Sequence, residues 1–194
     1  MSSELAAPRR PLVLADLLPR VFARDVGLVI AAAGITGALA QISIHIPGTP
    51  VPMTGQTLGV LVSGCALGSK RASAAMLAYA LFGFIGVPWF AGGQHGYVGA
   101  NAGYLLGFIL AAFLCGFVAE RGADRRVIGA LPAMLLGEIA IYAIGVPWLA
   151  VDLHVGMAKA ISLGFTPFVA GDATKAALGA ALLPSAWHFV NKQH

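Results

Sequence analysis

Six apolar stretches divide the chain, at about 26–44, 53–69, 72–90, 99–119, 127–150 and 167–190, and the turns between them hold most of its basic residues. All but the short second stretch approach or exceed the ~20 residues that a helix needs to cross a hydrocarbon layer. The pattern predicts an all-α, polytopic membrane protein of six transmembrane helices. One membrane domain spans 26–190, between tails at 1–25 and 191–194. The third and fifth stretches end in Gly86-Val87-Pro88-Trp89 and Gly145-Val146-Pro147-Trp148. Proline is expected to stop both helices there, with tryptophan at the headgroup boundary. The shared tetrapeptide is too short to establish an internal repeat.

Composition agrees, with 58% hydrophobic and only 10% charged residues, which excludes an ordinary soluble domain. In a six-helix reading, Arg9, Arg10, Arg20, Arg24, Lys70, Arg71, Arg121, Arg125, Arg126 and Lys192 share one side. By the positive-inside rule that side is cytoplasmic and carries both termini. Topology thus accounts for the net charge of +4, and no basic helix or aromatic platform calls for nucleic acid. The first residues lack an apolar core ending in a cleavage site, so a signal peptide is not expected; a short interfacial helix is expected at 11–22.

Two charges then stand out. The uncharged run after Lys175 is fifteen residues, 176–190, too short for a ~30 Å layer at about 1.5 Å per residue. The last span must begin near Phe168, which draws Asp172 and Lys175 into the outer part of a helix, three residues apart and on one face. Each would cost about 2.5 to 3.5 kcal/mol at a helix centre, so that face must meet protein or a polar cavity. Glu138, near the middle of the fifth span, reads first as a protonated or hydrogen-bonded tie between helices.

The outer connections are rich in turn residues. His45-Ile46-Pro47-Gly48-Thr49-Pro50-Val51-Pro52 cannot continue a helix, which predicts a rigid, extended lid. Gln56, Gln94, Asn101 and Tyr104 fall near the same outer ends as Asp172 and Lys175, within reach of one cavity. Small residues recur every four positions at Ala33/Gly37, Gly55/Gly59/Ser63 and Gly103/Gly107/Ala111/Cys115. Such stripes chiefly serve close helix packing, with Ala33/Gly37 the most plausible to face another protein. Cys65 and Cys115 have no CxxC partner, and His45, His95 and His154 lack ligand spacing, so no metal or cofactor is expected. Gly64-Cys65-Ala66-Leu67-Gly68-Ser69-Lys70 lacks the spacing of a nucleotide-binding loop.

Several strings together resemble the BioY family of biotin-specific substrate-binding (S) components of energy-coupling factor transporters. They are Ala40-Gln41-Ile42-Ser43-Ile44, Pro50-Val51-Pro52-Met53-Thr54-Gly55-Gln56-Thr57-Leu58, Gly86-Val87-Pro88-Trp89-Phe90-Ala91-Gly92-Gly93, Gly103-Tyr104-Leu105-Leu106-Gly107-Phe108 and Gly171-Asp172-Ala173-Thr174-Lys175. The match runs from Leu14 to Val190, in order. Where the family shows Gly-Pro-Thr before Gly-Tyr-Leu, this chain has Gly99-Ala100-Asn101-Ala102, and Ala170 replaces a frequent proline before the Gly-Asp pair.

The resemblance implies a six-helix S-component in a prokaryotic plasma membrane, holding biotin near the outer side under the loop between its first two helices. Asp172 and Lys175 are then ligand contacts. Gln94 is the nearest counterpart of a contributing polar residue in the third connection. Gln56, Asn101, Tyr104, Trp89 and Phe90 complete the expected site. Asp172 would accept from the urea N–H groups and Lys175 donate to the urea carbonyl. The implied partners are biotin, membrane lipid, and a transmembrane coupling subunit with two ATP-binding-cassette ATPases, the coupling subunit docking on Ala33 and Gly37. An intramembrane enzyme, or a solitary secondary transporter of a small urea- or amide-containing metabolite, is the alternative. No nucleophile–base pair supports an enzyme.

Overall fold

The computed structural model describes residues 12–19 and 21–192. Arg9, Arg10, Arg20 and His194, and the outer parts of both tails, lie outside the described residues. Seven α-helices carry the fold: α1 Phe22–Ala40, α2 Gln56–Leu67, α3 Ser69–Phe84, α4 Ala102–Ala119, α5 Val127–Asp152, α6 Met157–Gly164 and α7 Val169–Lys192. Six correspond to the predicted spans, and α6 is an addition. Among the described residues, three helical segments are long and apolar enough to cross a membrane: α1, 99–119 and α5. Helices α2 and α3 are shorter, while α7 is long but carries Asp172 and Lys175.

The elements follow from local chemistry. Helices α2 and α3 are joined by Gly68 alone, at φ +82° and ψ 168°, a backbone conformation that other residues strongly avoid. The start of α3 is closed from outside, since Glu120 Oε1 accepts from both the backbone N–H and the hydroxyl of Ser69 at 2.8 Å. That carboxylate satisfies an orphan donor and faces the positive end of the helix. Helix α3 ends at Phe84 rather than near residue 90, because Ile85 and Gly86 turn the chain before Pro88 is reached.

Pro147 does not stop α5, contrary to expectation; the helix runs through Pro132 and Pro147 to Asp152. Proline removes the N–H that would bond Ala143, but neighbouring helices hold the segment, as membrane bundles permit. The expected interfacial helix at 11–22 is a short 3₁₀ turn, Leu14–Leu17, preceded by Val13. Val13 and Ala15 are buried in the hydrophobic core, so this segment docks on protein. Nearby, Arg71 meets Asp16 at 3.1 Å and Asp25 at 3.0 Å, tying it to α1.

The small-residue stripes serve internal packing. Any Cβ at Gly107 would sit 2.9 Å from the Ile141 backbone, and one at Gly37 would sit 3.0 Å from Trp89 Cβ. Ala33 is fully buried. Ala33 and Gly37, expected to face a partner, are thus both buried in the chain by itself. Trp89 from the third connection folds back over Gly37, and α1 instead exposes Gly27, Ala31, Gly34 and Ala38.

Candidate ligand cavity

The cavity lies where the start of α2, the first turns of α4, the middle of α5 and the first turns of α7 converge. A two-stranded antiparallel hairpin, β1 Ser43–Ile44 with β2 Met53–Thr54, precedes α2. Its connection 45–52 is the predicted lid, and Val51 and Pro52 form part of the cavity wall. Gly48 at φ +88° turns the lid, and the Thr49 hydroxyl accepts from Val51 N at 3.1 Å.

On α7 the two charges meet as the i,i+3 spacing requires, with Lys175 Nζ 2.6 Å from Asp172 Oδ1. The ammonium also donates to Thr57 Oγ1 at 2.8 Å and to the Thr54 carbonyl at 2.9 Å. Its three donors thus have three acceptors, one of them the backbone of the hairpin. Asp172, 5% exposed, further accepts from the Tyr142 hydroxyl through Oδ2 and from Thr57 through Oδ1. A buried ion pair persists only when its remaining lone pairs and protons are matched in this way.

Aromatic side chains form the rest of the wall: Phe90, Tyr104, Phe108, Tyr142 and Phe168. Tyr142 stands edge-on to both Tyr104 and Phe165. The space between the walls is about 620 Å³ with its open mouth included, a size that suits a small molecule.

Seven sequence-predicted residues line this one cavity: Asp172, Lys175, Gln94, Gln56, Asn101, Tyr104 and Phe90. Their side chains differ in what they can offer. Tyr104 spends its hydroxyl on the Gly164 carbonyl at 2.8 Å and presents its ring. Gln56 accepts from Thr54 Oγ1 at 2.8 Å and donates to the Tyr79 hydroxyl at 2.7 Å. Asn101 keeps a buried Oδ1 with no hydrogen-bond partner among the described residues. Trp89 lies outside the cavity lining; its indole N–H donates to the Tyr79 carbonyl at 2.9 Å and its ring covers Gly37.

The third connection is anchored at the far end of α5. Trp148 Nε1 donates to the Gly99 carbonyl and the Tyr97 hydroxyl to Asp152 Oδ1, each at 3.1 Å. The bond to that carboxylate raises the Tyr97 hydroxyl above the ordinary tyrosine value. These ties place Gln94, Val98 and Asn101 against the cavity. Sequence reasoning missed Tyr142 and Thr57, the two hydroxyls on Asp172. Tyr142 follows Glu138 by four positions on an apolar helix, and only the position of α7 reveals its partner. Glu138 is buried, and neither carboxylate oxygen has a hydrogen-bond partner among the described residues. The expected tie between helices is not formed.

A helical bundle with a lidded, aromatic-walled cavity and one buried ion pair defines a membrane-embedded binding protein for a small polar-headed molecule. Among the described residues, no group of three metal-ligating side chains converges. The profile of the BioY family matches residues 9–192; the chain belongs to this family and is a multi-pass membrane protein. A biotin transporter BioY of Rhizobium etli is 36% identical over 170 residues, covering 82% of this chain and 90% of the relative. One from Thermotoga maritima is 41% identical over 155 residues, covering 77% and 90%. A crystal structure of the S-component for biotin from an ECF-type ABC transporter shares the fold, with a TM-score of 0.77 at 24% identity over 88% of this chain and 95% of that one.

Proposed function

We propose that the protein is the biotin-binding subunit of an energy-coupling-factor uptake transporter, taking biotin from the outer side of the plasma membrane. The observation that carries this reading is the Asp172–Lys175 pair in an aromatic-walled cavity. A cyclic urea has two N–H donors and one carbonyl acceptor on an otherwise apolar body. Asp172 matches the donors and Lys175 the carbonyl, while the aromatic walls take the sulfur ring and aliphatic chain. Lys175 already has three acceptors, so the ligand carbonyl replaces one of them, most simply Thr54 O on the hairpin.

In this reading α1 to α5 and α7 cross the membrane with both termini cytoplasmic, and α6 lies at the outer side between α5 and α7. A transmembrane coupling subunit and two ATPases supply the energy. The coupling subunit packs on the small, exposed face of α1 at Gly27, Ala31, Gly34 and Ala38, which takes the place of buried Ala33 and Gly37. Equilibrium binding to detergent-solubilised protein tests the core of the proposal. Biotin should bind tightly and be recovered chemically unchanged, whereas analogues lacking the urea N–H groups should not compete. Equal binding of such analogues would remove Asp172 from the role given to it.

A further inference from the structure

Tyr79 on α3 lies outside the cavity lining, is fully buried and forms the centre of a hydrogen-bond relay. Its hydroxyl accepts from Gln56 Nε2 at 2.7 Å and donates to the Trp89 carbonyl at 3.0 Å. Its own carbonyl accepts from Trp89 Nε1 at 2.9 Å, so residues 79 and 89 hold each other reciprocally. The two rings lie 5.2 Å apart, and Phe90, which lines the cavity, stands edge-on to Tyr79 at 5.4 Å.

Both ends of this relay lead somewhere. On one side Gln56 is fixed at the cavity wall, its Oε1 bonded to Thr54, whose carbonyl takes Lys175. On the other, the Trp89 ring fills the notch at Gly37 of α1, and Gln41 Nε2 reaches Gly37 O at 2.9 Å and the carbonyls of Trp89 and Phe90 at 3.4 Å. A buried amide aimed by one hydroxyl, which is itself aimed by one carbonyl, has a single satisfied arrangement. Displacing either end breaks one of these bonds.

We infer that Tyr79 is a positioning residue: it holds Gln56 toward the ligand and, through Trp89, makes the position of α1 depend on cavity occupancy. The inference rests on the reading of the cavity as the biotin site, and its test separates the two. Tyr79→Phe deletes one hydroxyl and keeps the packed ring. Biotin affinity should fall about tenfold, the loss of roughly one net hydrogen bond. In a Gln56→Leu background the same substitution should cost nothing further, whereas additive losses would overturn the inference.

Hydrogen exchange gives the second readout. Biotin should slow exchange at 37–42 and 171–175 in wild-type protein, but only at 171–175 in Tyr79→Phe; retained slowing at 37–42 would overturn the link to α1. If biotin slowed exchange nowhere in wild-type protein, the cavity reading would fail instead, and ligand-free protein would decide the relay. Tyr79→Phe and Gln56→Leu should then each speed exchange at 37–42, with the double variant no faster than either. An additive increase would count against it. Thermal unfolding and a Trp89→Phe variant, which keeps the carbonyl but loses the indole N–H that holds the Tyr79 carbonyl, guard against a mere folding defect: it should speed exchange at 37–42, and unchanged exchange would overturn the link.

Discussion

Replacing Asp172 by asparagine keeps the shape of the side chain and removes its charge, which isolates what the carboxylate supplies. Two costs follow. The Lys175 ammonium loses an anionic partner at 2.6 Å but keeps Thr54 O and Thr57 Oγ1. Breaking a buried pair costs about 3–5 kcal/mol, and the two surviving acceptors place the expected loss of stability at or below the low end. Hydrogen bonds to a charged acceptor contribute about 1.5–3 kcal/mol each, so loss of the charge should weaken biotin binding roughly 10- to 150-fold. Lys175→Met in the same chain should restore stability, because the unpaired charge is gone, without restoring affinity. Calorimetric or radioligand binding with thermal unfolding on the wild type, both single variants and the double variant separates the two costs. Wild-type affinity in Asp172→Asn, or recovered affinity in the double variant, would refute the assignment of Asp172 as urea acceptor.

Gly37→Leu should lower the unfolding temperature and biotin binding together, since its side chain enters the Trp89 ring. Gly34→Leu, facing open space, should leave both intact and lower uptake only when the coupling subunit is present; unchanged uptake in vesicles would clear that face of its role. Glu120→Ala should cost about 1 kcal/mol through the lost cap on Ser69, seen as a lower unfolding temperature at constant ligand affinity. Burial pushes the Asp124 carboxyl above its ordinary value of 3.8, partly offset by the Trp187 N–H at 2.6 Å. The folded state therefore holds that proton more tightly than the unfolded chain, and its contribution to stability falls as pH rises from about 4. The stability difference between wild type and Asp124→Asn should follow that fall, and a difference that is flat with pH would contradict it.

The helices were legible because apolar runs bounded by basic turns have few alternatives in a membrane. The ion pair on α7 was legible because a fifteen-residue uncharged run cannot span the bilayer unaided. What the pattern hid was three-dimensional. Small-residue spacing on α1 marked a close approach but not what approached, and Trp89 arrives there from a loop with no periodicity. Tyr142 carries no sequence sign that separates it from a phenol at the bilayer boundary. Pro147 does not end α5 because neighbouring helices hold the segment through it against proline's local preference.

The tether from Lys175 to the hairpin has a kinetic consequence. Because the ammonium is fully coordinated before any guest arrives, capture proceeds by substitution. The association rate should level off with rising biotin concentration at the frequency with which Thr54 is released. Weakening that grip would raise the plateau and tighten equilibrium binding, because the bond exists only while the cavity is empty, so the same contact that slows loading also helps to expel the guest.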